Sequence, residues 1–229
     1  MDVHAPHEQI HSKKDFFLHL LTITIGLLIA VGIEGAVELY REHKLVKEAR
    51  TTMREEIEYN SRQLNEALGK LNQETDGITK NIDLLTRILQ NPKTGAAKNA
   101  SINAQFSITG LRDTAWKTAQ TTGALTFMPY TDSRHYTEVY ETQQEFLSEQ
   151  QKILDDEAQF LGMVAKSNFG HGDVTKNQAS AALERFGIWR AHLVYVRLMA
   201  KIAAADNKAF LEGKEGPHEM HESVGGGGK

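Results

Sequence analysis

Residues able to do chemistry occupy four kinds of place, and each has a plainer alternative. Glu8-x-x-His11, beside His4 and His7, and Glu215-x-x-His218, beside His221, have the carboxylate–imidazole spacing that helical bundles use to hold metal ions. Both groups lie next to a proline, Pro6 or Pro217, in polar stretches with nothing rigid to aim the ligands, so they are read as tails without a specific metal. The doublets Glu55-Glu56 and Asp155-Asp156 offer carboxylates for acid–base work, but they fall within helical patterns where charge runs are ordinarily solvated faces. Gly170-His171-Gly172 has neither the length nor the following lysine of a phosphate loop and reads as a hairpin turn. The fourth place is Trp116 with Gln120 one helical turn on: either a buried plug tying a short helix to its neighbours, or a surface for a stacked ligand or a docked partner. No serine or histidine stands in a recognisable nucleophile setting, and the chain has no cysteine, which removes thiol chemistry, disulfides and cysteine-based metal sites. The expected protein is not an enzyme and carries no cofactor.

The elements that would position these residues are dominated by Phe16 to Ile33, FFLHLLTITIGLLIAVGI, which holds no Asp, Glu, Lys or Arg. As a helix it reaches about 27 Å, close to the hydrocarbon thickness of a bilayer. Thr22, Gly26 and Ala30 fall four apart and share one helical face, so two such helices could approach closely in lipid. Ala30-x-Gly32 also resembles the end of a cleaved signal peptide, but the apolar run is long for one and its period continues into the next segment. An uncleaved anchor is the reading adopted. Lys13 and Lys14 abut the span while Arg41, Lys44, Lys47 and Arg50 begin beyond it, so proximity and count disagree on orientation. Long domains translocate largely regardless of charge, and the soluble part is placed outside the cytoplasm.

Beyond the span an apolar stripe continues through Ala49, Met53, Ile57, Asn60, Leu64, Leu68, Leu71, Thr75, Ile78, Ile82, Leu85 and Leu89. Its steps of three and four predict one helix from Lys13 to Gln90, with Asp76-Gly77 as the place for a bend. Asn60 on that stripe would fix register or hydrate. Asn91 to Asn103 reads as a loop, and Asp113 or Thr114 can cap a short helix ended by Gly123. Thr131 opens a helix to Lys166 with Tyr136, Tyr140, Gln143, Phe146, Gln150, Ile153, Phe160 and Leu161 inward. A last helix from Val174 to Glu212 turns Phe186, Trp189, Leu193, Val196, Ala203 and Asn207 inward.

Two stretches, HSKKDFFLHLLTITIGLLIAVGIEG from His11 to Gly35 and LRDTAWKTAQTTGAL from Leu111 to Leu125, resemble an uncharacterised bacterial family of small single-pass membrane proteins with a helical soluble domain. Lys13 departs from the aromatic residue usual there. The resemblance implies bacterial origin and membrane attachment and assigns no active site.

The expected fold is all-α: an N-terminal transmembrane helix continuing into an antiparallel up-and-down bundle of three long helices plus one short helix. Residues 1–12 form a tail, 13–40 the span and its extension, 41–212 the bundle and 213–229 a Gly-rich tail. A formal charge of -4 gives no basic field for nucleic acid. The expected partners are the lipid bilayer, a second copy of the chain or another membrane protein. The expected role is an inner-membrane, non-enzymatic scaffold with its bundle in the periplasm, and the alternative is a membrane-tethered bundle that senses a small molecule.

Overall fold

The computed structural model describes residues 12–91, 97, 102, 104, 106–167, 169, 173–214 and 216. Both histidine–glutamate groups, most of the two tails, and most of the Asn91–Asn103 and Asn168–Asp173 loops lie outside the described residues. The chain is all-α; among the described residues there are four α-helices and no strand: α1 (Lys13–Gln90), α2 (Thr114–Thr121), α3 (Tyr130–Ser167) and α4 (Lys176–Leu211). A single 3-10 turn, Ala124–Phe127, follows α2. The chain divides into two compact units, residues 1–48 and 49–229.

In the first unit Ser12 accepts from the Lys14 N–H at 3.2 Å and so starts α1. Every side chain from Phe16 to Ile33 is exposed. An 18-residue window here has mean hydropathy 2.4 and none of it is buried, so by length and composition this stretch can cross a membrane. The hydroxyls of Thr22 and Thr24 donate to Leu18 O at 2.9 Å and Leu20 O at 2.8 Å, which satisfies them within the helix as an apolar solvent requires.

The second unit is the bundle. α1 runs unbroken through Gly69 and Gly77, because a buried face of Met53, Ile57, Leu64, Ala67, Leu71, Ile78, Leu85 and Ile88 compensates their low helix propensity. Ala67 and Ile88 take the inward places expected of Leu68 and Leu89, which lie on the flank. Cross-contacts give the directions. Arg50 meets Asp132 at 2.6 Å, and Asn60 meets Gln143 at 2.7 Å, so α1 and α3 run parallel. Arg54 donates to Leu211 O at 3.0 Å and Asp156 meets His192 at 2.6 Å, so α4 is antiparallel to both. The return stroke between α1 and α3 is made by the irregular stretch 106–113 and α2, which complete the up-and-down order.

The main core is apolar, with Phe160, Phe186 and Trp189 at its centre: Phe160 and Phe186 rings lie 4.6 Å apart and Phe186 and Trp189 6.0 Å. Leu161, expected inward, is 56% exposed. The buried side of α3 drifts to Asp156 and Phe160 near its end, which turns position 161 out. α4 starts two residues later than expected, at Lys176, because Thr175 and Gln178 form a reciprocal capping box.

Candidate functional site

At one level of the bundle each long helix contributes a buried amide: Asn60 from α1, Gln143 from α3 and Asn207 from α4. Asn60 is fully buried; its Nδ2 donates to Gln143 Oε1 and to Arg112 O, both at 2.7 Å, and its Oδ1 accepts from Arg112 N–H at 2.8 Å. The Gln143 and Asn207 amides meet at 2.9 Å. Asn60 therefore fixes register rather than hydrating. Higher up, Gln150 repeats the device, accepting from Thr109 N–H at 2.9 Å and donating to Thr109 O at 3.0 Å. A side-chain amide matches both polar groups of one peptide, so an irregular strand of chain can lie inside a helical bundle with its backbone satisfied.

The same logic sets α2. Asp113 precedes it in sequence but makes no side-chain cap; it pairs instead with Lys117 at 2.7 Å. Its first turn is capped across the fold by Glu56 of α1, whose Oε2 accepts from Ala115 N–H at 3.0 Å and Oε1 from Trp116 N–H at 3.4 Å. Tyr140 donates to the same carboxyl at 2.8 Å, and burial, then the Glu56 carboxyl, push the Tyr140 phenol above its usual range. Neighbouring helical residues point about 100° apart, which is why one member of each acidic doublet is not solvated: Glu55 is exposed and Glu56 buried, Asp155 exposed and Asp156 buried against His192. The expectation of solvated faces fails for Glu56 and Asp156.

Trp116 is half-buried and stacks on Tyr140, with ring centroids 5.0 Å apart and planes inclined by 14°. It is neither a buried plug, a role that belongs to Trp189 at 1% exposure, nor a free surface residue. Trp116 and Gln120 line a cleft of about 310 Å³ between α2 and α3, together with Arg112, Lys117, Glu141 and Gln144. Arg112 is itself seated 3.7 Å over the Tyr59 ring, and Lys117 is engaged by Asp113. Such a site can accept a flat or apolar group against rings and hold its polar edge with amides and charges. Among the described residues it sets no nucleophile beside a base, and no group of three metal-ligating side chains occurs. Gly123, at φ +75°, takes the left-handed conformation that ends α2 and turns the chain toward α3.

The structure brings Trp116 and Gln120 together, as their spacing requires. Thr22, Gly26 and Ala30 are exposed on α1, and a side chain added at Gly26 would meet nothing within 4 Å. Sequence reasoning missed Glu56 and Tyr140 as parts of this site; the amides on apolar stripes, Asn60, Gln143, Gln150 and Asn207, were the signal of inward polar groups. Compared with family models, curated proteins and solved structures, the chain matches none of them.

Proposed function

We propose that this chain is a single-pass membrane protein whose bundle serves as a non-enzymatic scaffold, associating with a second copy or another membrane or envelope protein. The observation that carries the reading is the Phe16–Ile33 stretch, an apolar helix whose side chains are all exposed among the described residues. The resemblance of the chain to bacterial single-pass proteins supports membrane attachment in a bacterium, and the bundle is placed on the periplasmic side because long domains translocate largely regardless of flanking charge. The Thr22, Gly26 and Ala30 face is the membrane contact, and the Trp116–Gln120 cleft is the contact outside it. Replacing Gly26 and Ala30 by leucine should lower oligomer yield in a crosslinking assay on membranes; unchanged yield removes that interface. Protease added to spheroplasts carrying a tag at Lys229 should digest the bundle, and a bundle that survives until lysis is cytoplasmic.

The cleft favours a second reading, in which the bundle senses a small molecule held against Trp116. A thermal-shift screen would find a metabolite that stabilises the protein and whose effect is lost in Trp116→Ala; a screen without such a compound counts against it.

A further inference from the structure

Among the described residues, three side chains hold the irregular stretch 106–113, and one of them differs in kind. Gln150 and Asn60 are neutral amides with both polar atoms engaged on the backbone of Thr109 and Arg112. Glu74 is a carboxyl with one oxygen engaged: Oε1 accepts from Ser107 N–H at 2.8 Å. Its Oε2 is sealed from solvent and has no hydrogen-bond partner among the described residues. Glu74 lines a small pocket of about 190 Å³ with Lys70, Gly77, Ala104 and Ser107, and Gly77 leaves room beside it, since a side chain added there would meet nothing within 4 Å. Of the charged groups acting on it, Lys70 on α1 and Glu157 on α3 have opposite signs and offset one another. Burial outweighs the stabilising pull of both the Ser107 backbone N–H and the Ser107 side chain and pushes the carboxyl up to about 7.

We propose that Glu74 is a proton-operated latch on the return stretch: neutral, it stays buried against the Ser107 N–H; ionised, its uncompensated oxygen turns to water and releases the chain ahead of Thr109. The reason is linkage. A proton held more tightly in the closed arrangement than in the open one makes its loss favour opening. Gln150 and Asn60 do not titrate, so the opening stops at Thr109. The latch is independent of what the Trp116 cleft binds.

The test uses the full chain in nanodiscs with carbon-13 glutamate. The Glu74 carboxyl resonance, assigned as the one missing in Glu74→Gln, should titrate near pH 7. Hydrogen-exchange protection of the Ser107 amide, divided by that of an unstructured reference peptide, should fall at least about tenfold between pH 5.5 and pH 8.5, a change that one unit of pKa difference already supplies. Protection at Thr109 and Arg112 should stay constant. In Glu74→Gln, which keeps an acceptor and carries no charge, Ser107 protection should be flat. A carboxyl midpoint near the ordinary 4.5, or wild-type Ser107 protection that ignores pH, overturns the latch, and the Ser107 reading needs no variant should Glu74→Gln fail to fold.

Discussion

The half of the bundle around Phe160, Phe186 and Trp189 and the half around Glu56, Asn60 and Tyr140 both exclude water, by different means. The first is filled by rings and aliphatic side chains meeting one another, and any chain of similar volume would fill it. The second holds a length of backbone that is not helical, so its walls must supply hydrogen bonds at set positions: Gln150 for Thr109, Asn60 for Arg112, Glu56 for Ala115 and Trp116. Apolar packing supplies stability and tolerates substitution; clasped backbone specifies one register and exposes one face of Trp116. The cleft belongs to the specified half.

Four substitutions separate the halves. Trp189→Ala should have the largest effect, about 3–5 kcal/mol lost in urea unfolding, with Trp116 fluorescence unchanged until the whole bundle melts. Asn60→Ala should remove about 2–3 kcal/mol, because it strands both polar groups of Arg112 and the Gln143 amide. Here Trp116 should become accessible to acrylamide below the global transition; coincident transitions would deny the halves their independence. Thr175→Ala removes the capping box of α4 and should cost about 1 kcal/mol, read as a fall in Tm with no change at Trp116.

The last substitution is Glu74→Gln, with a sign set by pH. The folded carboxyl titrates near 7 against 4.5 when free. The stability that Glu74 contributes is therefore fully present below pH 4.5 and is lost as pH rises through 7. The variant should lack this dependence and be the more stable chain at pH 8, by about 1 kcal/mol or less after solvent screening. Urea midpoints at pH 5 and pH 8 for both chains decide it.

The helices were legible because their signals are local and repeated. The 78 residues of α1 declare themselves by an apolar step of three or four from Ala49 onward, and Asn91-Pro92 marks the end. Asp113 illustrates the opposite case. It stands where a cap belongs, yet the cap is Glu56, 57 positions earlier, and no local rule reaches that far. Likewise Tyr140 was legible as inward, but its stacking on Trp116 depends on α1 and α3 being parallel, which follows from the irregular return stretch and not from any helix pattern. Trp116 and Gln120 could be paired from spacing alone because they share one short helix.

Membrane anchoring is the claim on which the proposed role rests, and alkaline carbonate extraction tests it most directly. Membranes from cells expressing the full chain, and from cells expressing a chain lacking residues 13–33, would be washed and both fractions blotted. The full chain should stay in the pellet until detergent dissolves it, and the shortened chain should appear in the supernatant. A full chain released by carbonate would contradict it.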